Sequence, residues 1–552
     1  MRDRLLLSGA MVFAAMVFFT GIQWGLPSAE VNRYLFGEHP VWTGQQIIDL
    51  AGSWDTNADL GADVDRNPLQ RRDQIICVNE TDAQRAEIVR RYRLFSYQPD
   101  EMITLRALSQ IKPAAGQFDP KLYQYGGLWT YPVGVALKLA SRFGWVELTP
   151  NVAFYLDHPE AFGRFYIVAR GYSAMWGLAG VATVFFLVRK LSADVWLATI
   201  AAAGFAVLPV VVCMSHEAKP HLGGAVLVLL SILAAMRYLE QPSVWRGVLV
   251  GVASGAGVAM VPTSAVAFLL LPAMLWMTPN SLNSRLRTLE LATAVGLAIF
   301  AVTNPYVVAH LFWHRELLRS NAGNTQAMYG VHGVLAGVAN SVRLIGAGTG
   351  WLVLIAGVVG WMTLHFAPGQ LRRQLILLAL PAIATTGAFA LVAAGKPGEF
   401  GRFFILPDTT LIIGVIVALS RWHRMQLRRG VAAVIVLVAA TSGAAYLRGF
   451  VKDASGEGTR HALAQRIAEG TGSATSESVT IVAEPAPYCL PPVDLFKHRL
   501  LLLPISVQTP PTDGWFIHAV DKLPAEQARS AAFEDATVIS WANKPFVVVR
   551  SR

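Results

Sequence analysis

Arg421-Trp422-His423-Arg424-Met425-Gln426-Leu427-Arg428-Arg429 separates two long apolar runs, residues 403–420 and 430–446. Runs of this length match the hydrocarbon core of a bilayer, which about 20 residues of α-helix can cross. Short loops rich in arginine beside membrane spans are typical of the cytoplasmic side. The stretch therefore predicts a membrane hairpin whose loop lies inside.

Apolar runs of this kind recur through the chain of 552 residues, which is 54% hydrophobic and only 15% charged. A soluble protein has about 25% charged residues. We therefore expect a polytopic α-helical membrane protein, and the three cysteines exclude a disulfide scaffold. The predicted spans are residues 5–22, 165–188, 195–212, 222–238, 247–261, 263–277, 289–308, 346–364, 374–394, 403–420 and 430–446.

Pro262 leaves one alternative, because residues 247–277 form either two short spans or one long tilted span. If residues 247–277 form two spans, the chain has eleven spans. The inner segments then contain fourteen basic and four acidic residues, and this excess of basic residues equals the net charge of +10. With one, Arg372, Arg373 and the basic stretch 421–429 would lie outside, against the positive-inside rule. The charge distribution therefore favours eleven spans. Because membrane topology explains the excess of basic residues, we expect no nucleic-acid partner.

Two hydrophilic regions lie outside on this topology. Residues 1–448 form the predicted transmembrane domain, with a large outer loop at 24–163, and residues 449–552 form a small outer α/β domain. The loop pattern predicts helices at 81–92 and 102–111, and an amphipathic helix at 129–145 that lies in the membrane interface. The tail pattern predicts a helix at 460–469 and strands at 479–482, 500–503, 515–520 and 546–549.

Tyr97-Gln98-Pro99-Asp100-Glu101 in the outer loop places two carboxylates at a helix start. The positive end of a helix dipole favours their ionised forms. Such a carboxylate beside a membrane can act as a general base, a metal ligand or a cation site. Acidic first turns are common, so the alternative is a helix start without chemistry.

Other polar groups collect at the predicted outer ends of spans, where ionisable residues are costly and usually functional. Four are donors that suit a phosphate: His216, Lys219, His221 and Arg402. Each also has a structural interpretation, because an arginine can flank a span and a histidine can be a satisfied interfacial residue. Further polar residues at this face are Asn304, Tyr306, His332 and Glu399. The histidine spacing does not match a zinc helix pattern.

These motifs, in this order, resemble the GT-C glycosyltransferases, and among them the protein O-mannosyltransferase-like group that uses a polyprenyl-phosphate sugar. Pro99-Asp100-Glu101 resembles the acidic motif of the first outer loop. Asp119-Pro120-Lys121-Leu122-Tyr123-Gln124-Tyr125-Gly126-Gly127-Leu128 is similar to a later loop motif, and Ser215-His216-Glu217-Ala218-Lys219-Pro220-His221 to a third, with His221 where an acidic residue is usual. Asn304-Pro305-Tyr306 and Arg402-Phe403-Phe404-Ile405-Leu406-Pro407 resemble two more.

The resemblance covers about residues 1–450 and implies an inverting transfer on the outer face of a membrane, expected to be a bacterial inner membrane. It implies that Asp100 or Glu101 deprotonates an acceptor hydroxyl, while Lys219, His216, His221 and Arg402 bind the donor phosphate. It further implies that Tyr125, Asn304, Tyr306, His332 and Glu399 line the substrate site. The partners would be membrane lipids, a polyprenyl-phosphate sugar, and a protein, lipid or glycan acceptor in the cell envelope. No cofactor is assigned, and a divalent metal stays open.

A second hypothesis is a transporter or flippase of a lipid-linked or anionic solute. Transporters are expected to show internal repeats and broken helices near the membrane midplane. The sequence has no evident repeat, and only the break at Pro262 favours this hypothesis. A third hypothesis, a scaffold without catalysis, leaves the outer-face motifs unexplained.

Overall fold

The computed structural model describes residues 1–52, 76–331, 333–396, 398–470, 478–481, 490–502, 514–519 and 546–551. The chain divides into two compact units. The helical unit contains residues 1–20, 106–135 and 170–447. The loop–tail unit contains residues 21–105, 136–169 and 448–552. His332, predicted to line the substrate site, lies outside the described residues.

Helices make up most of the described chain, as predicted. In order they are α1 (Arg2–Phe19), α2 (Asn32–Leu35), α3 (Gly44–Ala51), α4 (Asp82–Leu94), α5 (Glu101–Ser109), α6 (Gly127–Arg142), α7 (Val152–Asp157), α8 (Pro159–Ser192), α9 (Val195–Val207), α10 (Pro209–Ser215), α11 (His221–Glu240), α12 (Val244–Met260), α13 (Leu270–Trp276), α14 (Leu282–Thr303), α15 (Pro305–Trp313), α16 (Arg315–Met328), α17 (Val334–Thr349), α18 (Trp351–Leu364), α19 (Gly369–Ala390), α20 (Ile405–Ser420), α21 (Met425–Ala454) and α22 (Thr459–Gly470). The 3-10 helices are Ala29–Val31, Pro113–Ala115, Pro262–Leu269 and Gly398–Phe404.

Six of the described helices are long and apolar enough to cross a membrane, and eight spans result if each of two bent helix pairs counts as one. The chain is therefore a multi-pass membrane protein. The eleven predicted spans also included α1, which starts with three charged residues, and two shorter apolar helices, Val244–Met260 and Pro262–Trp276. Those three segments are helical, but they do not reach the length and apolarity of the other spans.

The breaks between helices have local causes. Pro209 follows the 62° bend between α9 and α10, and Gly350, at φ +83°, lies at the 108° bend between α17 and α18. Val261 adopts an extended conformation before Pro262, so α12 ends there. Proline lacks an amide hydrogen and fits only the first turn of a helix. The region 247–277 is therefore two helical segments, which is the alternative that the charge pattern favours.

Close contact between helices of the helical unit depends on small residues. Gly251 and Gly255 of α12 face α14, where an added Cβ would lie 2.0 Å from the oxygen of Ala292 and 2.2 Å from that of Gly296. Small residues four apart allow membrane helices to approach backbone to backbone. We infer that α12 and α14 pack as one rigid pair.

Charged residues predicted to be inside contact one another at the ends of these helices. Arg189 Nε lies 3.0 Å from Asp3 Oδ2, and Lys190 pairs with Glu240. Gln374 Nε2 also donates to Glu240, at 3.4 Å. Arg428 and Arg429 both bind Asp194, at 2.9 and 3.0 Å. The predicted inner segments therefore meet at one end of the helical unit, as expected for loops on one side of a membrane.

In the loop–tail unit, four strands of the tail and one strand of the loop form a five-stranded mixed sheet. The strands are β1 (Ile76–Cys77), β2 (Ser478–Ile481), β3 (Arg499–Leu502), β4 (Gly514–Ala519) and β5 (Phe546–Ser551), in the order β1-β3-β2-β4-β5. The central β3, β2 and β4 are parallel, and the two edge strands are antiparallel. The four tail strands agree with the prediction. Strand β1, contributed by the loop, was not predicted.

Asn79 strengthens the connection between loop and tail. Its Nδ2 donates to the oxygens of Leu495 (2.8 Å) and His498 (2.7 Å), and its Oδ1 accepts from the amide of Leu500 at 2.8 Å. Residues that share a sheet lie on the same side of a membrane, so the loop and the tail share a side. Asn79 is 3% exposed, which makes the Asn79-Glu80-Thr81 sequon inaccessible in the folded chain.

Candidate active site

A glycine pair holds the motif 119–128 against two helices of the helical unit. The Gly126 amide donates to the oxygen of Met260, at the end of α12, at 3.1 Å. An added Cβ would lie 1.9 Å from the oxygen of Ala259 at position 126, and 1.8 Å from that of Thr303 at position 127. Only glycine allows this approach. Helix α6 therefore begins at Gly127, two residues before its predicted start.

Asn304 joins this motif to the motif 304–306. Its Oδ1 accepts from the amide of Gly127 at 2.7 Å, and its Nδ2 donates to the oxygen of Phe300 at 3.2 Å. Asn304 was predicted to bind substrate, and in the structure it positions the glycine turn. The two motifs, 177 positions apart in sequence, are direct neighbours.

A recess lies where these two motifs meet. It is a small, partly open hollow, and four of its nine lining residues are tyrosines. The tyrosines are Tyr123, Tyr125, Tyr131 and Tyr306. Two of them, Tyr125 and Tyr306, were predicted to line the substrate site.

Tyr125 lines the recess and, through His221, connects it to two further motifs. Its ring lies 6.0 Å from the ring of His221, edge to face, and His221 lies 5.1 Å from Phe403 in the same manner. The guanidinium carbon of Arg402 lies 5.1 Å from the centre of the Phe403 ring. Such contacts stabilise a buried cation. Arg402 is only 5% exposed, so the stacking holds a positive charge inside the protein.

Lys219 carries a second buried positive charge. Its Nζ lies 3.0 Å from Oε2 of Glu217, and both side chains are at most 1% exposed. Ser173 Oγ donates to the backbone oxygens of both residues, at 2.6 and 3.2 Å, and so fixes this turn. Glu217 was not among the predicted site residues, although it lies in the quoted motif. The carboxylate offsets the charge of Lys219 and keeps the side chain ordered.

His216 has a different environment from the other predicted phosphate ligands. Its Nδ1 lies 2.7 Å from the oxygen of Val212, and its Nε2 lies 2.8 Å from the oxygen of Thr20 at the end of α1. Both ring nitrogens thus face backbone carbonyls. The predicted phosphate contact would require His216 to break one of these hydrogen bonds, and the observed role is to link α1 to α10.

Asp119 and His310 form a polar cluster beside the recess that was not predicted. His310 Nε2 lies 2.8 Å from Asp119 Oδ2, and Tyr123 donates its hydroxyl to Asp119 Oδ1 at 2.6 Å. The Lys121 amide also donates to Oδ1, at 3.0 Å. Burial alone would raise the pKa of Asp119, but the hydrogen bonds from Tyr123, His310 and Lys121 outweigh it, and the pKa is lowered.

Tyr123 stays protonated in this cluster. Burial raises the pKa of its phenol, and the hydrogen bond to the Asp119 carboxylate raises it further. The amide of Tyr123 donates to Asn321 Oδ1 at 2.9 Å, and Asn321 Nδ2 donates to the oxygen of Lys121 at 3.1 Å. The backbone on both sides of Leu122 is therefore held in place. A signal for His310 existed, since it follows Tyr306 by one helical turn.

The acidic pair belongs to the loop–tail unit. Helix α5 begins at Glu101, as predicted from the proline. Glu101 is fully buried and accepts a hydrogen bond from Ser96 Oγ at 2.5 Å, whereas Asp100 is half-buried. A group that takes a proton from a substrate needs access to it. Of the two predicted bases, Asp100 is the more accessible.

The sequence leaves open whether the site binds a divalent metal. Within the described part of the chain, no group of three or more histidine, cysteine, aspartate or glutamate side chains is arranged to hold a metal ion.

Glu399 lies in the 3-10 helix Gly398–Phe404, which also carries Arg402, and is half-buried. Its predicted contact with substrate stays a prediction.

Among the comparisons with known proteins, only the search of solved structures found similar proteins. Neither a family model nor a curated protein matches the chain. It is similar to ArnT from Cupriavidus metallidurans bound to undecaprenyl phosphate, at 15% identity and a TM-score of 0.40, covering 84% of this chain and 96% of that one.

Two further similar structures are larger proteins. The archaeal oligosaccharyltransferase AglB from Archaeoglobus fulgidus, in complex with an inhibitory peptide and a dolichol-phosphate, aligns at 12% identity and a TM-score of 0.39, over 73% of this chain and 62% of AglB. The Saccharomyces cerevisiae protein O-mannosyltransferase Pmt1-Pmt2 complex bound to the sugar donor aligns at 13% identity and a TM-score of 0.31, over 55% of this chain and 33% of that one.

Proposed function

We propose that this protein is a GT-C-type glycosyltransferase that moves a sugar from a polyprenyl phosphate to an acceptor hydroxyl. One observation carries the proposal. Four sequence motifs distant in the chain meet around Tyr125: the motif 119–128 itself, Asn304 bonded to Gly127, His221 against the Tyr125 ring, and Arg402 on Phe403. Ordered cations and a tyrosine-lined recess are groups that a phosphate-linked sugar needs.

The proposed reaction uses the residue roles that the sequence motifs imply. Asp100 would accept the proton of the acceptor hydroxyl as its oxygen forms a bond to the anomeric carbon of the sugar. The bond from that carbon to the phosphate oxygen breaks, and the configuration inverts. Arg402 and Lys219 would stabilise the negative charge that grows on the departing polyprenyl phosphate. The proton ends on Asp100, and the products are the glycosylated acceptor and the free polyprenyl phosphate.

The same proposal includes the side of the membrane on which transfer takes place and the location of the acceptor. Residues 24–163 and 449–552 would lie on the outer face, because the eleven-span topology puts the arginine-rich loops of the sequence on the cytoplasmic side and these two regions on the other. A bacterial inner membrane with an envelope acceptor fits this arrangement. Cysteines placed at the exposed Ala115 and Glu457 should react with an impermeant maleimide in intact cells; labelling only after permeabilisation would reverse the orientation.

The general reaction is tested with purified protein in lipid nanodiscs and a panel of radiolabelled polyprenyl-phosphate sugars. Label should leave the lipid phase for at least one donor when an extract of envelope proteins, lipids and glycans is added as acceptor. Boiled protein is the control for chemical hydrolysis. If no donor in the panel loses label, the proposed transfer is wrong.

A second candidate function is transport of a lipid-linked solute, which the two bent helix pairs favour. Helices interrupted within the membrane are typical of transporters, and the bends here measure 62° and 108°. The same donors in sealed proteoliposomes separate the two functions. A transporter moves intact labelled lipid across the bilayer, whereas a transferase separates the label from the lipid.

A further inference from the structure

Asp408 is a carboxyl group inside a membrane span. It lies near the middle of the 23-residue apolar stretch Gly398–Ser420, which consists of a 3-10 helix and α20. The side chain is fully buried, and both carboxyl oxygens are without a hydrogen-bond partner among the described residues. Ionisable side chains at membrane depth are costly and usually functional. The proposed sugar transfer makes no use of Asp408.

Both bent helix pairs approach Asp408. Gly348 lies two residues before the 108° bend between α17 and α18, and Val210 lies in the first turn of α10, next to the 62° bend that follows α9. A Cβ added at Gly348 would lie 2.3 Å from Oδ2 of Asp408 and 3.4 Å from Cβ of Val210. The carboxyl group therefore lies where two interrupted helices meet. Membrane transporters hold their coupling ions at interrupted helices of this kind.

No charged neighbour compensates a carboxylate at this position. Within the described part of the chain, Asp408 forms no ion pair or hydrogen bond with any side chain of the elements packed against α20. Of these elements, α9 and α18 contain no titratable residue. The titratable residues of the others, which are α10, α11, α17, α19 and the 3-10 helix, are Cys213, His221, Arg237, Tyr238, Glu240, Arg343, Arg372, Arg373, Glu399 and Arg402.

A carboxyl group in these surroundings is held as the neutral acid. Moving an ionised carboxylate out of water without a partner costs far more than moving the protonated form. A metal ion would need several ligands, and the described residues contain no group of three or more histidine, cysteine, aspartate or glutamate side chains arranged around one. A proton needs only the single carboxyl group that is present.

We propose that Asp408 is a proton-binding site at the junction of the two bent helix pairs, and that the bound proton stabilises this junction. The site is additional to the proposed active site and uses none of its residues. The inference therefore stands or falls independently of the sugar transfer.

The direct test is the infrared band of the undissociated carboxyl group. Its carbonyl stretch is separate from the amide bands, and dodecyl maltoside, used as the detergent, contributes no carbonyl. The full-length protein is measured at pH 7, where carboxyl groups in water are ionised. The spectrum of wild type minus Asp408→Asn should show the band, and wild type minus Asp49→Asn, at an exposed aspartate, should not. Absence of the band from the first difference spectrum would overturn the inference.

The stability of the chain tests the role of the proton. Unfolding exposes Asp408 to water, where a carboxyl group releases its proton above about pH 4. Asp408→Asn keeps the shape of the neutral acid and has no proton to release. The unfolding equilibrium constant of the wild type, relative to that of Asp408→Asn, should therefore grow about tenfold per pH unit above that pH. Reversible unfolding in dodecyl sulfate mixed micelles measures this ratio, and a ratio that does not change with pH would mean that the folded chain holds no proton here.

Two measurements do not depend on the folding of Asp408→Asn. Wild-type protein made with aspartate that carries a heavy carbon isotope in its carboxyl group should show the infrared band at lower frequency; an unmoved band would mean that the protonated group is not an aspartate. Gly348→Ala places a methyl group against Oδ2 of Asp408 and should shift the band, whereas Gly387→Ala, with nothing within 4 Å of its Cβ position, should leave it in place. A band that is identical in both glycine variants would contradict the assignment to Asp408.

Discussion

The Nε2 atom of His310 lies 2.8 Å from Oδ2 of Asp119, although 191 positions separate the two residues in sequence. Tyr123, Lys121 and His310 together give this carboxylate three hydrogen-bond donors. The cluster connects the loop motif 119–128 to helix α15.

The first prediction concerns the pH dependence of this cluster. The folded-state pKa of Asp119 lies below its ordinary value of 3.8, so the carboxylate stabilises the fold above that value and the contribution is lost as pH falls through the lowered pKa. Asp119→Asn should lower the melting temperature at pH 7, and the difference from wild type should shrink below about pH 4. A difference that stays constant from pH 7 to pH 3 would contradict the ionised state of Asp119.

A second prediction concerns the glycine turn that begins α6. Gly127→Ala places a methyl group 1.8 Å from the oxygen of Thr303, so the backbone must shift at a cost of about 1–3 kcal/mol. We expect a lower melting temperature. Gly387→Ala in α19 is the matched control, since nothing lies within 4 Å of its Cβ position. Equal melting temperatures for both variants would show that the turn tolerates a side chain.

The junction of loop and tail gives a third prediction. Asn79→Ala removes three buried hydrogen bonds to the segment 495–500, and each backbone group left unsatisfied costs about 1–3 kcal/mol. The tail should be cleaved faster in limited proteolysis, while the transmembrane core stays intact. Glu80→Ala changes an exposed neighbour and serves as control; cleavage at the wild-type rate in both variants would mean that Asn79 does not hold the tail.

Much of the fold was predictable because its signals are local. Alternating and β-branched residues predicted β2, β3, β4 and β5 within two residues, and Pro99 predicted the start of α5. Strand β1 has only two residues, and its partner Leu502 lies more than 400 positions away, so no local pattern marks it. The same holds for Asp119 and His310, whose pairing depends on where α15 packs.

The sequence indicated several motifs whose side chains meet in the structure, but few of the contacts between them. Tyr125 contacts His221, and His221 contacts the Phe403 ring on which Arg402 stacks, so three of the quoted motifs are neighbours. The bonds of His216 to two backbone oxygens were not predictable, because residue type alone does not reveal which acceptors a buried ring meets. Asn304 likewise binds the Gly127 amide through a backbone approach that only the folded chain shows.

Arg402 gives a prediction about the donor. Its guanidinium stacks on Phe400 and Phe403, at 5.4 and 5.1 Å, in a buried position, and we propose that it contacts the phosphate of the donor. Arg402→Ala should raise the donor concentration needed for half-maximal transfer and lower the maximal rate less, because a phosphate contact exists in the ground state as well as the transition state. Arg424→Ala, at an exposed arginine, is the control; unchanged donor dependence in Arg402→Ala would remove Arg402 from the site.

The central claim is that Asp100 accepts a proton in a sugar transfer, and its most direct test is the rate at which radiolabelled sugar leaves the preferred polyprenyl phosphate. Asp100→Asn should transfer about a hundred- to ten-thousandfold more slowly, the usual cost of losing a general base. Its melting temperature should be unchanged, and Asp49→Asn, at an exposed aspartate of the same unit, should transfer at the wild-type rate. Near wild-type transfer by both Asp100→Asn and Glu101→Gln would contradict the account.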